Sequence, residues 1–139
     1  MRTLHEIGEG EARLAVDTIA AELKRRSKAA SIAVADRHGE LIALLRADGA
    51  SLTTMKVAAN KAFTAARTGE PSGNIGDSLR ADGWDISFLG DPHYIGWPGG
   101  IPVILGGEVV GAVAVSGLTG EEDVELATMA VKEILKAVG

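Results

Sequence analysis

Hydrophobic residues recur at helical spacing in three segments of this chain, and each segment predicts an amphipathic helix. The first segment covers residues 8–27, the second covers residues 51–68 and the third covers about residues 120–138. Ser51 is placed to cap the second helix at its N-terminus. Thr119, with Glu122 three residues later, fits a capping box at the start of the third helix.

Two pairs of short apolar segments, rich in β-branched residues, predict two β-hairpins. Residues 31–35 and 41–46 form the first pair, and they are joined by polar turn residues that include Gly39. The second hairpin covers residues 101–116 and turns at Gly106-Gly107, because glycine readily adopts the positive φ angles of tight hairpin turns.

The connection over residues 74–97 is the least regular part of the chain, and it contains both tryptophans and the only tyrosine. A short helix is expected near residues 75–81, and a loop or short strand near residues 86–89. Long connections in compact domains often carry function. The order of elements predicts a single domain over residues 1–139 of the α/β class, α+β type, with a central antiparallel sheet built from two hairpins and helices packed against it.

Composition narrows the classes of function that fit this chain. There is no cysteine, which excludes disulfides and cysteine-ligated zinc or iron–sulfur sites. The net charge of −5 argues against nucleic acid as the main partner. No apolar run approaches the ~18 residues of a membrane span, and the polar N-terminus is unlike a signal peptide, so we expect a cytoplasmic protein with no membrane partner. The abundance of small apolar residues favours a homo-oligomer.

Several motifs follow one another along the chain in a specific order. The first hairpin contains a continuous string from Ile32 to Ala50, and the second helix contains Lys61-Ala62 followed by Thr64-Ala65. Pro98-Gly99-Gly100-Ile101-Pro102-Val103 opens the second hairpin, which continues through residues 111–117 to Asp123. In series, these motifs resemble the haem-degrading-domain family.

The resemblance implies a compact domain with a central antiparallel sheet that assembles with copies of itself, often as dimers or octamers. It also implies haem, or a related small ligand, as the cofactor in some members. Residues 90–97 are more aromatic and more polar than the usual lead-in to the Pro-Gly-Gly motif. That departure favours a different small ligand in this chain.

His93 and Tyr94 are the first candidates for chemistry. Imidazole is a common haem ligand and an acid or base near neutral pH, and a phenol can donate a proton or a hydrogen bond. The alternative is a structural His-Tyr pair that makes local hydrogen bonds in an exposed turn. His5 is the second candidate for an axial haem ligand.

The segment Trp97-Pro98-Gly99-Gly100 is the candidate ligand-binding lip. Backbone without side chains can approach a ligand closely, and a glycine-rich segment beside a half-buried hairpin often borders a pocket. We therefore expect Trp97, Pro98, Gly99 and Gly100 to contact a ligand.

Five polar residues complete the candidate site. Arg46 has the geometry to hold a carboxylate and lies near Asp48, although these side chains also suit a strand-end ion pair with each other or with a neighbour. Lys61 is flanked by alanines, where burial would lower its pKa and make it a base or a carboxylate anchor; the alternative is a surface lysine. Asn60 and Thr64 share a helical face and are candidates for orienting a ligand.

Two functions fit these features. The first is a small-ligand-binding protein that holds haem or a related planar ligand at the glycine lip, with His93 or His5 at the iron. The alternative is a small enzyme of a catabolic operon, an isomerase, hydratase or hydrolase that acts on a carboxylated carbonyl or enol. In that enzyme Arg46 or Lys61 would anchor the carboxylate and His93 or Tyr94 would move the proton. A third hypothesis is an oligomeric accessory protein without a ligand.

Overall fold

The computed structural model describes all 139 residues and contains four α-helices and one four-stranded antiparallel sheet. A short 3₁₀ helix lies in the long connection before the second hairpin. The arrangement confirms the predicted class and the predicted sheet built from two hairpins. In chain order the elements are α1 (Glu9–Arg26), β1 (Ser31–Asp36), β2 (Leu41–Arg46), α2 (Thr53–Thr68), α3 (Gly73–Asp82), the 3₁₀ helix (Ile86–Leu89), β3 (Gly100–Leu105), β4 (Glu108–Ser116) and α4 (Gly120–Val138).

The strand order β2-β1-β4-β3 places one strand of each hairpin in the centre of the sheet and one at an edge. Gly106 and Gly107 have φ angles of 59° and 79°, so both occupy the left-handed region that a tight hairpin turn requires. Gly39, with a φ of 91°, turns the first hairpin. These local signals explain why both hairpins were predictable from the sequence.

The two faces of the sheet carry different side chains because residues alternate in direction along a strand. Larger apolar side chains of β1 and β4 pack with α1 and α4 on one face, and Ile32, Val34, Val113 and Val115 are fully buried there. The opposite face carries only alanines in the centre, and these meet alanines of α2: Ala33, Ala35, Ala58, Ala62 and Ala114. Methyl side chains on both surfaces allow α2 to lie close to the sheet.

Two local expectations were wrong. Ser51 does not cap α2 with its side chain; Leu52 already has helical angles, and the N–H and hydroxyl of Thr54 both donate to the backbone carbonyl of Ser51. Residues 86–89 form a 3₁₀ helix rather than a strand, because the carboxylate of Asp85 accepts the Ser87 N–H at 2.8 Å and starts a tight turn. No helix in the structure is both long and apolar enough to cross a membrane.

Candidate functional site

Helix α2 lies between two concave surfaces that share none of their lining residues. The first, which we call the Lys61 cleft, has a volume of about 390 Å³ and lies between the N-terminal ends of α2 and α4. The second, which we call the His93 groove, has a volume of about 700 Å³ and lies between α2 and β2. The residues predicted to form one site are therefore divided between opposite sides of one helix.

A buried ion pair forms the floor of the Lys61 cleft. Lys61 Nζ lies 3.1 Å from Asp123 Oδ2, and each side chain is only 4% exposed. The same ammonium donates to the carbonyl of Val115 at 3.0 Å. Burial lowers the pKa of Lys61 and raises the pKa of Asp123, and the attraction between the two charges opposes both shifts. Of the two alternatives for Lys61, a buried lysine and a surface lysine, the structure contains the buried one.

The Pro-Gly-Gly segment crosses directly over Lys61. A Cβ atom at Gly100 would lie 2.2 Å from the carbonyl oxygen of Lys61, and one at Gly99 would lie 2.5 Å from the carbonyl oxygen of Val115. Both glycines are buried and neither lines the Lys61 cleft, so the close approach that requires glycine here is to the protein's own backbone. Trp97 and Pro98, by contrast, do line the Lys61 cleft.

His93 lies on the other side of α2, where it rests against an aromatic side chain. Its ring centroid is 5.4 Å from that of Phe63, and its Nδ1 is 2.6 Å from Asp91 Oδ1. The backbone N–H of His93 donates to the same carboxylate, and these hydrogen bonds lower the pKa of Asp91. Because Nδ1 is engaged, Nε2 is the ring nitrogen that remains for a ligand.

The His93 groove has mainly apolar walls beside this imidazole. Leu41, Leu44, Met55 and Phe63 contribute the large apolar side chains, and Asn60 contributes an amide. Lys56 lies at the same groove and has no salt-bridge partner. The groove therefore combines apolar walls with an imidazole, an ammonium and the carboxylates of Glu40 and Asp91.

Tyr94 and Thr64 do not line the His93 groove. Tyr94 packs edge-on against Phe63, with ring centroids 5.0 Å apart, and borders a separate surface groove with Arg67. Thr64 is fully buried, and its hydroxyl accepts the backbone N–H of Ile95 at 2.9 Å. Thr64 therefore positions the segment that carries His93 and Tyr94. Asn60 and Thr64 were predicted to share a helical face, but Asn60 lines the His93 groove whereas Thr64 is buried.

Arg46 and Asp48 are exposed and form no salt bridge with each other. Neither residue lines the Lys61 cleft or the His93 groove. His5, the second candidate iron ligand, is also remote from the groove: its Nδ1 lies 3.4 Å from Glu108 Oε2 and its side chain is 75% exposed. Neither of the predicted carboxylate anchors, Arg46 or Lys61, therefore lines the groove that contains His93.

Three residues that matter to these surfaces were not among the predicted site residues. Phe63 occurs at the spacing of a core residue. Its ring nevertheless contacts the rings of both His93 and Tyr94, and the guanidinium carbon of Arg67 lies 4.4 Å from its centroid. Asp123 pairs with a lysine 62 positions away. Asp91 was more accessible to sequence reasoning, because an aspartate two residues before a histidine commonly forms a local turn.

Comparison with known proteins identifies the chain's relatives. It is 35% identical over 99 residues to an uncharacterized 15.0 kDa protein encoded between dhaT and dhaS in Citrobacter freundii, covering 70% of each chain. It is 33% identical over 95 residues to the protein GlcG of Escherichia coli K12, covering 68% of this chain and 69% of the relative.

Solved structures show the same fold. The ORFY protein of Klebsiella pneumoniae superposes with a TM-score of 0.90 at 25% identity, covering 100% of this chain and 97% of the other. HbpS superposes at 0.85 with 26% identity, covering 97% and 94%. A haem complex of PduOC superposes at 0.83 with 17% identity, covering 91% and 94%. The model of the HbpS-like haem-degrading proteins matches residues 7–132, so this chain belongs to the HbpS-like haem-degrading protein family.

Proposed function

We propose that this protein binds haem, or a related planar ligand, in the His93 groove, with Nε2 of His93 as the iron ligand. The observation that carries the proposal is the hydrogen bond between His93 Nδ1 and Asp91. Histidines that bind metals almost always place their second ring nitrogen against a carboxylate, a carbonyl or water, which fixes the tautomer and the ring orientation.

The remaining lining of the groove supports the same ligand. Leu41, Leu44 and Phe63 offer apolar surface to a macrocycle, and the unpaired ammonium of Lys56 suits an acidic substituent. The family supports a haem-binding role, and the PduOC fold neighbour was solved as a haem complex. When bound, haem would supply an iron centre whose properties depend on its axial ligand and on the polarity around it.

A hemin titration followed through the Soret band tests the proposal. We expect a saturable shift at one hemin per subunit in the wild type, and a shifted or lost band in His93→Ala. His5→Ala tests the second candidate ligand, and His38→Ala is the matched control because that histidine is also exposed and does not line the groove. A wild-type protein without a saturable shift, or a His93→Ala protein identical to wild type, contradicts the proposal.

Self-association is the second part of the proposed function. The edge strand β2 exposes Leu41, Leu44 and Leu45, and the opposite edge strand β3 exposes Ile104 and Leu105. Unpaired strand edges with exposed leucines favour contact with another chain. Because Leu41 and Leu44 also line the His93 groove, a second copy on β2 would enclose a ligand there. Light scattering after size-exclusion chromatography measures the mass of the assembly, and Leu45→Lys is the variant compared with the wild type.

A further inference from the structure

The Lys61 cleft contains a buried hydroxyl that no protein group uses. Ser116 is 5% exposed and lines the cleft, yet its side chain makes no hydrogen bond within the protein. It follows Ala112 and Ala114 on the face of β4 that meets α2, so the strand directs it toward the cleft. Every fully enclosed polar side-chain atom has a partner, which means that the Ser116 hydroxyl opens onto the cleft.

The first turn of α2 adds a backbone donor to the same cleft. Thr53 and Thr54 line it, and the helix begins there without a side-chain cap and without an acidic residue in its first turn. The N–H groups of Thr54 and Met55 donate to the carbonyls of Ser51 and Leu52, which leaves the Thr53 N–H as the free donor of this turn. The helix dipole also makes this end of α2 attractive to negative charge.

Lys61 supplies a further donor. An ammonium has three N–H groups, and only two acceptors, the Val115 carbonyl and Asp123, lie within hydrogen-bond distance of it. Asp123 directs Oδ2 to Lys61 and Oδ1 to the Leu118 N–H. Its charge is therefore engaged by the protein, and the cleft presents mainly donors.

We propose that the Lys61 cleft binds a small monocarboxylate. A carboxylate offers the acceptors that the Ser116 hydroxyl, the Thr53 N–H and the third Lys61 proton lack. A dianion such as phosphate fits less well, because the single ammonium is already balanced in part by Asp123. Val57, Trp97 and Pro98 form a wall for a short apolar tail, and about 390 Å³ is within the usual range for a ligand pocket.

This site is separate from the His93 groove. The two surfaces share no lining residue, since Lys61 and His93 lie on different sides of α2. The monocarboxylate proposal therefore does not depend on haem binding.

Tryptophan fluorescence provides the test because Trp97 lines the cleft and is 60% exposed. In a Trp84→Phe background, the emission reports Trp97 alone. The probes are sodium butyrate, sodium acetate and inorganic phosphate at constant ionic strength, with sodium chloride as the blank. We expect a saturable change with the two carboxylates, stronger for butyrate, and weaker binding of phosphate.

Ser116→Ala removes the unused hydroxyl and should weaken butyrate binding about tenfold or more, since a hydrogen bond to a charged group is lost. Ser31→Ala is the matched control: Ser31 is paired with Ser116 across the sheet, but its hydroxyl is bonded to Thr54 and it does not line the cleft. Its affinity should stay within about twofold of wild type.

Three results would overturn the proposal. The first is the absence of saturable carboxylate binding by both fluorescence and calorimetry. The second is equal affinity in Ser116→Ala and Ser31→Ala, and the third is tighter binding of phosphate than of butyrate. Hemin titration of Ser116→Ala should match wild type, which keeps the result distinct from failure of the His93 groove.

Discussion

Replacing Lys61 by methionine tests how much the buried ion pair contributes to stability. Methionine keeps the length of the side chain and removes the charge, so Asp123 remains in a site where its side chain is 4% exposed. At a separation of 3.1 Å, two unit charges attract by about 5 kcal/mol at an effective dielectric constant of about 20. Breaking a buried pair from one side typically costs about 3–5 kcal/mol, and we expect Lys61→Met to lose this much unfolding free energy.

The chain provides a closely matched control in Lys136→Met. Lys136 Nζ lies 3.1 Å from Glu133 Oε1, the same distance as in the buried pair, but the two side chains are 74% and 42% exposed. Exposed pairs contribute at most about 1 kcal/mol, so the same substitution should change the unfolding free energy by less than that. Urea unfolding at pH 7, followed by far-ultraviolet circular dichroism, compares the two variants.

The pH dependence of Lys61→Met gives the reasoning a second check. Burial raises the folded-state pKa of Asp123 above its ordinary value of 3.8, so the folded protein binds more protons than the unfolded chain in the window above 3.8. Stability therefore falls as the pH rises through that window. It falls further in Lys61→Met, where the attraction of the ammonium that opposes the shift is lost, so the deficit of the variant should be smaller at pH 4 than at pH 7. A deficit below about 1 kcal/mol at pH 7, indistinguishable from Lys136→Met, would refute this account.

Two further predictions concern the backbone crossing and the N-terminal segment. Gly100→Ala should destabilise the protein by about 1–3 kcal/mol in urea unfolding, because the added Cβ would clash with the Lys61 carbonyl. Gly10→Ala is the control: it has open space around it and should be neutral or slightly stabilising. Hydrogen bonds from Arg37 and His5 lower the pKa of Glu108 to about 2. The stability they add is present above about pH 4.5 and is lost toward pH 2, so Glu108→Gln should flatten acid unfolding there.

Local chemistry explains which elements were predictable. Gly106-Gly107, Gly39 and the Thr119 cap each determine backbone conformation within a few residues, and the structure contains both turns and the cap where the sequence indicates them. The Ser51 cap failed for a similarly local reason: the helical turn at Leu52 brings the Thr54 N–H onto the backbone carbonyl of Ser51 instead of its hydroxyl.

The division of the candidate site depends on contacts between distant parts of the chain. Helical spacing places Phe63 with the alanines of α2, and it does not indicate that residues 90–97 return across its ring. Likewise, Ser116 ends a strand in the sequence, and only the packing of α2 beside β4 shows that its hydroxyl faces a cleft. A single sequence lacks this information because sheet order and helix placement join residues that are far apart along the chain.

Helix α2 accounts for both surfaces through the way it packs. Its alanines hold it close to the sheet, so it offers little freedom to rotate or slide. Residues on its two flanks are consequently fixed relative to the sheet: Lys61 toward the Pro-Gly-Gly crossing on one side, and Phe63 toward His93 on the other. Sites built on a rigid element are held more precisely than sites built on loops alone. The alanine packing between α2 and the sheet therefore also positions the two binding surfaces.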